Sequence, residues 1–220
     1  MTTTTIDMHA ADLRRALHAV LPFTGQDDSE HPAMLRVHLA TIGRRLTLTT
    51  SDRYTIAHAV ILADQAMPSP ASINADDARV LLALLDSKKE DRGTVQLEVT
   101  DSRIAIALHD SRAEVRRRDW EGRVVDQFHK ILAKLPTKDA ADLSGMVAIQ
   151  PRYLTAIAAA SVSDDEQWMP DPVRMCFGGP NEPIRAEVGD WLLAAIMPVR
   201  VAQGADAHVA APQLAEQVAR

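Results

Sequence analysis

Hydrophobic and polar positions along the chain switch between a helical and a strand period, in the same order three times. Over residues 10–21, "AADLRRALHAVL", a 3.6-residue period puts Leu13, Leu17, Val20 and Leu21 on one face and predicts a helix. The same period predicts helices over 75–87, "ADDARVLLALLDS", opened by Asn74 as N-cap, and over 151–161, "PRYLTAIAAAS". Pro151 falls in the first turn of the latter, where its missing N–H costs nothing. A strand-like run leads into each helix: "TTTIDMH", "SPASIN" and "GMVAIQ". Two alternating runs follow each: "MLRVHLATI" and "RLTLTTSDRYTIAHAVI"; "TVQLEVT" and "RIAIALHDSRAEVRRR"; "PVRMCFG" and "PIRAEVGDWLLAAIMPV". The repeat is thus strand, helix, β-meander, at roughly 65–75 residues, which is too long for a solenoid and fits half-domains that pair through their sheets.

Two stretches stand outside the repeat. Residues 119–144 form a connector in which Val124, Val125, Phe128, Ile131, Leu132 and Leu135 recur at near-helical spacing, so a fourth helix is expected there. Residues 204–220, rich in Ala and Gln with Pro212, read as a mobile tail.

Composition narrows the class. The chain of 220 residues is 46% hydrophobic and 25% charged, as in a soluble globular protein, and its 4% aromatic content leaves the core to aliphatic side chains and alanine. Cys176 is the only cysteine, so an intramolecular disulfide is excluded and a reducing compartment fits. The N-terminal stretch lacks a basic region followed by an apolar core, and no apolar run approaches the roughly 20 residues a membrane span needs; a cytoplasmic location is expected.

The motifs that carry enzyme chemistry are mostly absent. The eight histidines form no HExxH or other metal-ligand spacing, and a lone cysteine cannot build a Cys-rich zinc site. The chain has no G-x-S-x-G elbow, P-loop or G-x-G-x-x-G. Asp76 and Asp77 sit at a predicted helix start, where the dipole favours carboxylates without any catalytic reason. A non-enzymatic protein without metal or cofactor is expected.

The net charge of −6 argues against a chain coated in positive charge, but distribution matters more than the total. Arg14, Arg15, Arg79, Lys88, Lys89 and Arg152 lie on or beside the predicted helices, and much of the acid lies in loops. Such helices could present one positive face to phosphates; ordinary solvated helix positions would read the same way.

The repeat, the hairpin "LTLTTSDRYTIAHAVI", the pair "AIQPRYLTAIAAA" and "DPVRMCFGGPNEPI", and the closing "AAIMPVR" together resemble the bacterial DNA polymerase III beta subunit, the sliding clamp. "DQFHKILAKLP" falls where that family places a linker ending in leucine-proline. The resemblance spans about residues 6–201 and implies an α+β sliding-clamp fold, with helices on one face of antiparallel sheets. Residues 1–118 resemble the clamp middle domain, and 145–203 only the second half of the last domain. The first clamp domain and the first half of the last one have no counterpart, and Thr55 stands where the family keeps an arginine.

The resemblance implies a function: a processivity factor that encircles double-stranded DNA and tethers a polymerase and other proteins carrying clamp-binding peptides, with a clamp loader as a further partner. Its peptide pocket would comprise Ser51, Asp52, Arg53, Tyr54, Thr55 and Ile56 on the hairpin, Leu135 and Pro136 on the linker, and Met197, Pro198, Val199 and Arg200 at the last strand. Arg14, Arg15, Arg79, Lys88, Lys89 and Arg152 would face DNA. If twelve helices line a ring, three per chain require a tetramer, and a fourth in the connector a trimer. The rival expectation is an adaptor that keeps the pocket without forming a ring; an unrelated enzyme with the same repeat is a third.

Overall fold

A computed structural model describes residues 3–26, 31–88, 93–137, 148–162, 170–179 and 181–199. The first unit runs β1 (Thr4–His9), α1 (Ala10–Val20), a 3-10 turn over Leu21–Phe23, and a meander of β2 (Arg36–Ile42), β3 (Arg45–Ser51) and β4 (Thr55–Leu62). The second runs β5 (Ala71–Asn74), α2 (Ala75–Ser87), β6 (Thr94–Val99), β7 (Arg103–Leu108) and β8 (Ser111–Arg116). Then come α3 (Gly122–Leu132), α4 (Pro151–Ser161), β9 (Val173–Cys176), β10 (Ile184–Val188) and β11 (Leu192–Ile196).

The first two units exchange their leading strands. β1 pairs with β6, giving the four-stranded sheet β1-β6-β7-β8, and β5 pairs with β2. The second sheet has seven strands, β5-β2-β3-β4-β11-β10-β9, because the third meander extends the first through an antiparallel β4–β11 seam. At the two-residue β2–β3 turn, Gly43 has φ 60°, a conformation that costs a residue without a Cβ little.

The four-stranded sheet buries one alternating face, and the seven-stranded sheet is covered on both sides near its centre. Val95, Leu97 and Val99 of β6 and Ile104, Ile106 and Leu108 of β7 are buried in one core with Leu13, Leu17 and Val20 of α1 and Leu81, Leu82 and Leu85 of α2. α1 lies against β4, beside α2 on one flank and α4 on the other. Ala57 and Ala59 on β4 and Ala194 on β11 are fully or almost fully buried; their small side chains let the helix layer approach the seam.

The connector holds the expected helix, and it docks on the opposite face of the seven-stranded sheet. Phe128 and Leu132 of α3, together with Leu135, form a second small core with Ile56 of β4 and Ala195 of β11, edged by Met34, Val124 and Leu193. Two expectations needed adjustment. The first helix ends at Val20 and tightens into the 3-10 turn, where Pro22 cannot continue the α ladder. Asn74 occupies the N-cap position of α2 in extended conformation, but its side chain makes no capping bond. Of the third leading run, "GMVAIQ", residues 145–147 lie outside the described residues, and Ala148 makes a single bridge to Val199.

Candidate partner-binding surface

The β3–β4 turn is built around one carboxylate. Asp52 Oδ1 accepts from the Tyr54 N–H (3.1 Å), the Thr55 N–H (2.9 Å) and the Thr55 hydroxyl (2.6 Å). The Ser51 hydroxyl donates to the Thr55 carbonyl at 2.7 Å. These bonds close a tight turn whose apex residue, Arg53, adopts φ 76°, a left-handed conformation that favours glycine. Asp52 Oδ2 faces α4, where it accepts from the Tyr153 hydroxyl and from Arg152 (2.8 Å). Tyr153 is buried and stacks on Phe23 at 5.5 Å between centroids. Its hydroxyl is held above the ordinary tyrosine pKa, first by burial and then by its hydrogen bond to Asp52. The hairpin tip is therefore latched to a helix about 100 residues away in sequence.

Three distant segments meet beside this tip. The Met197 N–H donates to the Tyr54 carbonyl at 2.8 Å, one step beyond the Ile196–Thr55 pair of the seam. The Val199 N–H donates to the Ala148 carbonyl at 2.8 Å. Leu135 packs on Ile56 in the α3 core, and Pro136 abuts the "FGGP" loop, where a Cβ on Gly178 would lie 3.3 Å from the Pro136 ring.

The twelve predicted pocket residues divide by exposure. Ser51, Asp52, Thr55, Ile56 and Leu135 are buried beneath the others. Arg53 and Tyr54 (62% exposed), Met197 (38%) and Val199 (42%) are accessible, and Pro136 and Pro198 are half-buried. Arg200 lies outside the described residues. The hydroxyl of Thr55, which stands where the family keeps an arginine, donates to Asp52. Tyr54, Met197 and Val199 are thus exposed apolar side chains beside the turn, with Arg53 at its apex. Sequence reading missed Arg152 and Tyr153 as the latch, because nothing in "PRYL" distinguishes a core tyrosine from one that holds a remote carboxylate.

Among the described residues, the predicted DNA-facing cations are buried or stand beside carboxylates. Arg14 is buried, not outward, because α1 is covered by the sheet on one side and by α2 and α4 on its flanks. Arg15 pairs with Asp171 and lies over the Trp191 ring at 4.1 Å. Arg79 pairs with Asp76 (2.6 Å), Arg152 with Asp52 (2.8 Å), and Lys88 Nζ stands 3.8 Å from Asp110. Lys89 lies outside the described residues. Among the described residues no group of three His, Cys, Asp or Glu side chains could hold a metal ion, and no helix is long and apolar enough to cross a membrane.

No protein-family model and no curated protein matches the chain. Solved structures do. The DNA polymerase III beta subunit of Thermotoga maritima matches with a TM-score of 0.64 at 14% identity over 90% of this chain. The sliding clamp of Bacillus subtilis matches at 0.65 and 12% identity over 90%, and the beta sliding clamp of C. crescentus at 0.66 and 14% over 90%. The chain spans 66%, 64% and 66% of those proteins' own lengths. At this identity the likeness establishes the fold, an α+β sliding-clamp fold.

Proposed function

We propose that this protein is a clamp-like tether, whose Tyr54–Met197–Pro198–Val199 surface receives short peptide segments of replication or repair proteins. The observation that carries the reading is the meeting of the hairpin, the linker and the end of the last strand at one place, joined by the Met197–Tyr54 backbone bond. A methionine beside a proline and an exposed tyrosine offers an adaptable apolar wall on a rigid base, which suits anchors of an extended peptide. The relatives in fold are sliding clamps, one of them crystallised with polyethylene glycol bound.

A second reading adds encirclement of DNA by a ring of several chains. It is favoured by β8 and β9, which among the described residues end their sheets with edges that an assembly would cover. The paired state of the helix cations favours the adaptor form, in which tethering does not depend on a basic face.

Fluorescence polarisation with a labelled Gln-Leu-containing clamp-binding peptide tests the tether. Tyr54→Ala and Met197→Ala should each weaken binding by roughly 10-fold or more, as truncation of an interface anchor does. If neither substitution changes the affinity, the surface is wrongly assigned.

A further inference from the structure

The fold treats its methionines differently. Met8 and Met67 are buried, at 5% and 8% exposure. Met34 is half-buried against the α3 core and Met175 against the main core. Met197, at 38%, is the exposed methionine among the described residues. Met1, Met146 and Met169 lie outside the described residues.

The backbone fixes Met197 in that position. Its N–H donates to the Tyr54 carbonyl at 2.8 Å, which carries the β4–β11 ladder one step past the Ile196–Thr55 pair. Pro198 follows, and a residue before proline is confined to extended conformations. The next bond, from the Val199 N–H to the Ala148 carbonyl, ties the segment down on its other side. Side chains alternate along a strand, so the pattern of β11 continued to Met197 puts it on the face of Ala195, opposite the fully buried Ile196. Ala195 belongs to the α3 core with Ile56 and Leu135. The thioether is thus open to solvent on the side of the sheet where hairpin, linker and last strand meet.

We infer that Met197 is a reversible oxidation site, and that its sulfoxide switches off peptide binding. The switch rests on the tether role proposed above. A sulfur lone pair attacks one oxygen of hydrogen peroxide; the O–O bond breaks, the S–O bond forms and water leaves. Sulfur is oxidised and the peroxide is reduced. A thiol-dependent sulfoxide reductase reverses the step: its thiols become a disulfide and the oxygen leaves as water. The sulfoxide puts a strong acceptor where an adaptable apolar contact stood. A peptide anchor that covers it must bury that acceptor without a donor, which opposes binding.

Peptide mapping by mass spectrometry and fluorescence polarisation, both on the full chain, test the switch. Under graded hydrogen peroxide Met197 should gain an oxygen before Met8, Met34, Met67 and Met175 do. The oxidised protein should bind the labelled Gln-Leu-containing peptide roughly 10-fold more weakly, and a methionine sulfoxide reductase should restore the affinity. Met197→Leu should have the same affinity before and after peroxide, whatever its starting value. Met197→Gln, with a polar group on a chain of similar length, should bind weakly without any oxidant. Cys176→Ser should respond as the wild type does, which separates the sulfoxide from oxidation of the one thiol. Circular dichroism checks the fold of each variant. Met197 is not the switch if another of these methionines reacts first, if Met197→Leu loses affinity as the wild type does, or if full oxidation of Met197 leaves binding unchanged. That last result sinks the switch alone. An unoxidised protein that binds no such peptide sinks the tether role and the switch together.

Discussion

Asp52 shows how much of the candidate surface rests on a residue that no partner would touch. Its two oxygens bind the turn on one side and Tyr153 with Arg152 on the other. Asp52→Ala should cost about 3 kcal/mol in urea denaturation, because it strips buried charge-assisted bonds and leaves the Tyr153 hydroxyl unpaired. Tyr153→Phe should cost about 1–2 kcal/mol, since it removes one bond and keeps the stack on Phe23. Tyr54→Ala should alter stability by less than about 0.5 kcal/mol while weakening peptide binding, which separates the exposed anchor from its foundation. If Asp52→Ala leaves the midpoint unmoved, the latch carries no weight. The sequence placed all six hairpin residues at one turn, but it could not tell which face solvent and which face α4. That division depends on a helix brought in from 100 residues away.

At the scale of elements, α3 couples the linker to the sheet through aromatic and imidazole rings. His38 of β2 is buried, bonded to the Ser72 hydroxyl (2.9 Å) and the Ala33 carbonyl (3.0 Å), with Trp120 and Phe128 against its ring. His58 of β4 bonds Thr49 and meets His129 of α3 edge-on at 5.3 Å. Burial lowers both His38 and His58 to about 4; Arg36 adds to the effect at His38 and His129 at His58. The unfolded chain takes up protons at these histidines near pH 6.5, the folded chain only near pH 4. Their contribution is therefore fully present above about pH 6.5 and is lost as the pH falls towards 4. For His38 the loss is on the order of 3 kcal/mol by pH 4. Replacing His38 with Gln should flatten the fall in thermal midpoint between those pH values, and an unchanged slope would count against it. Helix periodicity in the connector was legible in the sequence. Its docking on the outer face was not, because an amphipathic stripe specifies that a helix is covered without naming what covers it.

For the whole molecule, the seam between β4 and β11 decides the architecture. It fuses the third meander to the first and, with β5 of the second unit, makes one sheet of seven strands. A chain that encircles DNA would stay on circular DNA in high salt by topology and slide off linear DNA. Because the described helix cations are buried or stand beside carboxylates, equilibrium binding to short linear duplexes should be weak. Its log affinity should fall with log salt at a slope no steeper than about −2, the release expected from one or two phosphates. A steep slope measured by titration would mean that these pairs open to meet DNA.

The sequence by itself determined the local plan. The 2.0 and 3.6 periods gave the order of strands and helices, since side-chain periodicity is a property of adjacent residues. It also singled out the short runs "SDRYTI" and "MPVR", which the fold brings side by side through the Met197–Tyr54 bond. Only the tertiary structure decided what those residues do. It buried Arg14, spent Thr55 and Asp52 on the turn, left Tyr54 and Met197 outside, and joined the third meander to the first at β4 and β11. The reason is physical: exposure and pairing depend on contacts between residues far apart in the chain, and no local period encodes which distant surface arrives.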